Sequence, residues 1–139
     1  MQYAFAVATL ISLACAEPPQ MSFTTLARGF ASQIEEPRTA VVRTAAEWSK
    51  IWTEHGAMEK PPEVDFARST VIAIFSGTRP TAGHSVEITG IEKEAAGLVV
   101  TYVERAPGPD QMVAQMLTSP FHIVRMESHE GPVRFTRTR

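Results

Sequence analysis

Thr70-Val71-Ile72-Ala73-Ile74-Phe75-Ser76-Gly77-Thr78-Arg79-Pro80-Thr81-Ala82-Gly83-His84-Ser85-Val86-Glu87-Ile88 is an apolar run that stops at a glycine and restarts as an alternating one. Val71 to Phe75 is short, β-branched and apolar throughout. Periodicity leaves a helix open, but the length and the Gly77 stop favour a central strand buried on both faces. In the second half Val86 and Ile88 alternate with Glu87, as in a strand with one wet face.

Between the two strands the chain carries its own stiffeners. Pro80 fixes φ, drives Arg79 toward an extended conformation and lacks a backbone donor, while Gly83 accepts a positive φ. A stiff loop loses little ordering entropy on binding, so Gly77, Arg79, Pro80, Thr81, Gly83, His84 and Ser85 form the candidate recognition surface. The simpler reading is that Arg79 pairs with a local carboxylate and the loop only turns the chain.

The chain has 139 residues, 44% apolar and 20% charged, enough for one domain over 23–139 and too few for two. A net charge of −2 and the absence of any Lys/Arg run argue against nucleic acid as a partner.

Residues 1–16 carry no charge, and Ala4 to Ala14 is almost uniformly apolar or small before Ala14-Cys15-Ala16 and Glu17-Pro18-Pro19. This is read as a signal peptide cut before Glu17, too short to span a bilayer, although no basic residue precedes its apolar core. Residues 17–22 are then a Pro-rich spacer. Cys15, the single cysteine, follows Ile11-Ser12-Leu13-Ala14 and is the candidate lipidation site, with Ser12 standing where a lipoprotein signal has leucine. The expected location is extracytoplasmic, whether secreted, periplasmic or envelope-attached, with a lipid anchor as the sole membrane contact. With its one cysteine in the leader, the mature domain has no disulfide, no thiolate metal site and no cysteine nucleophile.

Elsewhere the pattern is mostly β. Phe23 to Leu26 and Phe30 to Ile34, split by Arg28-Gly29, read as a bulged first strand, and Thr39 to Arg43 as a second. Thr44-Ala45-Ala46-Glu47 is a capping box. Trp48, Ile51, Trp52 and His55 then mark one face of an amphipathic helix over about 44–55, closed by Gly56. The tryptophan pair is read as packing rather than as a stacking platform. Ile91 to Lys93 and Leu98 to Glu104 flank a hairpin at Glu94-Ala95-Ala96-Gly97. Two strands, or one broken at Ser119-Pro120, are expected over Val113 to Thr118 and Phe121 to Glu127. Val133 to Thr138 reads as an edge strand. The fold class is α+β, mostly β: one helix packed on an antiparallel sheet or sandwich of six to eight short strands.

Four segments in this order resemble the C-terminal domain of PrcB-type protease-complex subunits: Glu47-Trp48-x-x-Ile51-Trp52, Val64-Asp65-Phe66, Gly77-x-Arg79-Pro80-Thr81-x-Gly83-x-Ser85-Val86-x-Ile88, and Thr118-Ser119-Pro120-Phe121-His122-Ile123-Val124. The resemblance covers about residues 23–127. It implies an exported bacterial protein or lipoprotein whose namesake associates with a secreted subtilisin-like protease, and no enzymatic activity. Two loop positions depart from the family pattern, which has glycine at Ala82 and tyrosine at His84.

Catalytic patterns are weak. Gly83-His84-Ser85-Val86-Glu87 begins like a nucleophile elbow, but Glu87 replaces the last glycine and a strand follows. His55, His84, His122 and His129 share no metal-ligand spacing, and Glu35, Glu36, Glu92, Glu94 and Glu104 read as solvated positions. No catalytic residue, metal or cofactor is therefore assigned. The leading expectation is a non-catalytic, exported protein-interaction domain binding a protein partner, a secreted or envelope peptidase, through the Gly77–Ser85 loop. One alternative is a peptidase inhibitor, because Arg79 to His84 is similar to the Asn-Pro-Thr-Thr-Gly-Tyr loop of chagasin-like inhibitors, with Arg79 in place of asparagine. The other is a small-ligand or glycan site using Trp48, Trp52 or Tyr102.

Overall fold

A computed structural model describes residues 19–139, so the leader assigned to 1–16 and Cys15 lie outside the described residues. Its elements are β1 (Phe23–Gly29), β2 (Arg38–Val42), α1 (Ala45–His55), β3 (Ser69–Phe75), β4 (Ser85–Glu94), β5 (Gly97–Arg105), β6 (Phe121–Glu127) and β7 (Val133–Thr138). Seven strands form two sheets, ordered β1-β6-β3-β2 and β4-β5-β7. The first sheet is antiparallel throughout. In the second, β4 and β5 pair antiparallel while β7 lies parallel to β5.

Alternation along β3 builds the layers. Val71, Ala73 and Phe75 join Trp48, Ile51 and Trp52 of α1 in one core, while Ile72 and Ile74 face the second sheet and pack with Val86, Ile88, Ile91, Leu98 and Val100. Beside it β6 repeats the pattern, with Phe121 and Ile123 toward the helix and Val124 and Met126 toward the second sheet. A strand buried on both faces must be apolar at every position, and the expected central strand is found in β3.

The helix starts as expected: Thr44 sits at φ −134°, and the Glu47 N–H donates to its Oγ1 at 3.2 Å. In return the Thr44 hydroxyl donates to Glu47 Oε1 at 3.2 Å, so the carboxylate caps through the side chain rather than through the Thr44 backbone N–H expected of a capping box. The Gly56 N–H then donates to the carbonyls of Trp52 and Thr53.

Four local expectations change. Phe30 to Ile34 is not strand: β1 ends at Gly29, its bulge falling between Thr25 and Ala27, and Ala31 makes a lone bridge with Ser119. Val86 to Lys93 is one strand with a register shift between Ile88 and Gly90. Val113 to Thr118 is not a strand either. The Met116 N–H turns back onto the Ala114 carbonyl at 3.0 Å, a three-residue turn that breaks any ladder. Finally, Pro19 to Met21, read as spacer, lies along β4, where Lys93 N–H donates to the Pro19 carbonyl at 3.0 Å and Met21 N–H to the Ile91 carbonyl at 2.7 Å. That contact covers part of an otherwise open sheet edge.

Candidate functional site

The connection from β3 to β4 carries the chain from one sheet to the other, and its backbone is tied down along its length. Ser76 N–H donates to the Pro120 carbonyl at 2.9 Å and Thr78 N–H to the Glu35 carbonyl at 2.8 Å. Arg79 and Thr118 exchange both backbone bonds, at 2.6 and 3.0 Å, and Ala82 N–H reaches the Ala114 carbonyl at 3.0 Å. The Thr118 hydroxyl closes the set by donating to the Thr81 carbonyl at 2.9 Å. A loop with this many partners is held by its neighbours as well as by its proline.

Gly77 is buried at φ +79°, and a Cβ there would lie 2.8 Å from the backbone nitrogen of Pro37 and 2.9 Å from the Glu35 carbonyl oxygen. Gly77 thus shapes the loop from inside. Gly83 is exposed at φ +88°, beside Pro107 and Val113. Pro80 is exposed, whereas Arg79, Thr81, His84 and Ser85 are half-buried. Ser85 opens β4, so a strand follows it and the helix of a nucleophile elbow does not.

The loop forms one wall of an open groove of about 840 Å³. Its apolar lining comes from three separate segments: Phe30 and Ala31 after β1, Ala82 and Gly83 in the loop, and Met116 and Leu117 before β6. Phe30, Met116 and Leu117 are 60%, 56% and 73% exposed, an unusual outlay of large apolar side chains on one small domain. His84 and Ser85 line the groove and also a second, polar recess with Arg79, Glu104, Arg105 and Arg137.

Glu104, expected to be solvated, anchors that recess with its side chain only 20% exposed. Its Oε1 accepts from the Ser76 hydroxyl at 3.2 Å, while Oε2 faces Arg137 at 3.0 Å and Arg79 at 3.5 Å. The pairing of Arg79 with a carboxylate therefore coexists with its place on the loop surface. Nearby, Glu87 takes Arg28 at 2.9 Å and Arg105 at 3.6 Å, and the Arg28 guanidinium holds its carboxyl below the ordinary carboxylate range.

The other polar and aromatic candidates are structural. Trp48 and Trp52 are 5% and 6% exposed, and their indole N–H groups donate to the carbonyls of Pro62 and Glu59 at 3.0 and 2.9 Å. Neither offers a face to a ligand, which removes the tryptophan-stacking version of a glycan site; Tyr102 packs against the intersheet core. His55 Nδ1 pairs with Ser32 Oγ at 2.8 Å, its ring edge-on to Phe121 with centroids 4.2 Å apart, and burial lowers its pKa. Among the described residues no three His, Cys, Asp or Glu side chains gather into a metal-binding group, and no helix is long and apolar enough to cross a membrane.

Sequence reading missed Phe30, Met116, Leu117, Arg105 and Arg137. Met116 and Leu117 fell within the strand expected over Val113 to Thr118, so their exposure beside the loop was not legible. Residues 70–127 match a protein family described as PrcB C-terminal. The matched span runs from β3 through β6 and includes the pinned loop and the 112–119 segment, two of the three walls of the groove. No curated protein and no solved structure matches the chain.

Proposed function

We propose, taking as premise that residues 70–127 form a PrcB C-terminal segment, that the protein is a non-catalytic, extracytoplasmic interaction domain that docks onto a peptidase as part of a protease complex. The observation that carries the reading is the groove: Phe30, Met116 and Leu117 stay exposed beside a loop whose backbone is fixed before any partner arrives. Apolar anchors on a preformed backbone are what a binding surface requires, because association then costs little in ordering the site. The premise supplies the class of partner. Export rests on the uncharged, apolar leader of residues 1–16, with Cys15 as the lipidation candidate.

The test is co-purification from the native host with a tagged full-length chain, comparing wild type with the double substitution Phe30→Gln and Leu117→Gln. Both side chains are exposed, so the circular dichroism spectrum and melting temperature stay within experimental scatter. The wild-type eluate is expected to contain a peptidase that the double variant loses. Equal recovery of the peptidase by both proteins contradicts the reading. Peptidase activity that falls as purified domain is added at micromolar concentration would instead favour an inhibitor acting through Arg79 to His84.

A further inference from the structure

The apolar groove and the arginine recess meet at His84 and Ser85, which line both. Of the arginines lining the recess, Arg79 and Arg137 pair with Glu104, while Arg105 pairs with Glu87, which Arg28 also engages. Four guanidinium groups thus answer to two carboxylates. Glu104 is mostly enclosed, whereas the side chains of Arg105 and Arg137 are 58% and 61% exposed. A guanidinium has five N–H donors in a planar fork. Arg105 holds its carboxylate at only 3.6 Å and Arg137 engages Glu104 through one nitrogen, so both keep donors free for an incoming anion.

We infer that this composite surface binds a peptide segment of the protein partner in which an apolar side chain, seated between Phe30 and Leu117, lies a few residues from a carboxylate held by Arg105 and Arg137. The inference rests on the docking reading above and names the chemistry of what docks. Charge complementarity selects the acidic group. The polar part of the groove lining selects a peptide over a lipid: Gln33 and Thr78 offer hydrogen-bonding groups to a backbone, and the Glu35 carboxylate opposes an anionic bilayer surface. Arg79 is held by its backbone pairing with Thr118 in both directions, and Arg105 and Arg137 by their places in β5 and β7, from which their side chains stay exposed.

Random heptapeptides displayed on phage are panned against the full chain as wild type, Leu117→Gln, the Arg105→Gln/Arg137→Gln pair and the charge-preserving Arg105→Lys/Arg137→Lys pair. A consensus peptide is then synthesised with its acidic residue intact or changed to glutamine, and binding is followed by fluorescence polarisation. Wild type is expected to select peptides carrying an apolar and an acidic residue and to bind the glutamine form roughly tenfold more weakly. The glutamine pair binds both forms alike, and the lysine pair keeps part of the preference. Peptides that require Leu117 but show no acid preference overturn this inference and leave the docking surface standing. Absence of any Leu117-dependent peptide overturns both. A fourth arm uses phosphatidylglycerol vesicles: sedimentation of wild type that the glutamine pair loses and acidic peptide does not compete away assigns the arginines to a membrane and overturns the inference.

Discussion

The backbone N–H of Ile88 donates to Nδ1 of His122 at 2.9 Å, joining an edge strand of the three-stranded sheet to an inner strand of the four-stranded one. Because Nδ1 accepts, the ring proton sits on Nε2 and is donated to Thr25 Oγ1 at 2.9 Å. A single neutral imidazole therefore satisfies an otherwise orphaned N–H on the β4 edge and fixes β1 against β6. Protonation would turn Nδ1 into a donor facing a donor.

Stability should accordingly fall with acid. Burial lowers the His122 pKa, the Arg28 charge adds to that, and Glu87 opposes it; His55 is lowered by burial alone. Both rings bind protons more readily in the unfolded chain, where their pKa is near 6.5. Folded and unfolded protonation match above that pH. Below it the unfolded chain takes up protons that the folded one refuses, and unfolding is favoured by at most about 1.4 kcal/mol per pH unit for each histidine. Urea midpoints measured from pH 8 to pH 5 should be flat above pH 7 and decline below about 6.5. His122→Ala should flatten part of that decline and, by leaving the Ile88 N–H unpaired, cost roughly 1–3 kcal/mol at pH 8.

Gly77→Ala should be among the most damaging single-methyl additions in the chain. It combines a left-handed φ of +79° with Cβ contacts of 2.8 and 2.9 Å to the backbone of Pro37 and Glu35, neither of which can swing away. A loss of about 2 kcal/mol or more is expected in chemical denaturation. Gly83→Ala meets side chains of Pro107 and Val113 at 3.0 Å instead, and should cost about 1–2 kcal/mol.

Trp52→Ala should cost about 3–5 kcal/mol, since it empties the centre of the helix-side core and leaves the Glu59 carbonyl without its indole donor. Trp52→Phe keeps most of the volume and loses the hydrogen bond, so a smaller loss near 1–2 kcal/mol is expected by thermal melting.

Local chemistry made the frame legible. The unbroken apolar run of β3 signalled a strand covered on both faces, and the Thr44 cap with Trp48, Ile51, Trp52 and His55 at helical spacing signalled α1 and its buried side. Where the sequence misled, the cause was a competing local geometry. The register shift at Thr89 interrupts the alternation of β4, and the turn at Ala114 to Met116 takes β-prone residues out of any ladder. The groove was illegible for a different reason. Phe30, Ala82 and Leu117 are far apart in the chain and become neighbours only because the β3 to β4 connection is pinned against residues 114–118. The stiffness of that loop could be read from Pro80 and Gly83; the wall it leans on could not.

The central claim, that this groove is where a peptidase partner docks, is tested most directly by site-specific photocrosslinking in the native host, with a benzophenone amino acid at Leu117 and, as control, at Glu94. Glu94 lies at the end of β4 remote from Ser85, in the hairpin with Gly97. Crosslinking from position 117 and not from 94 to a protein identified by mass spectrometry as a peptidase is the predicted result. Equal crosslinking from both positions, or an adduct at 117 with no peptidase in it, would contradict the account.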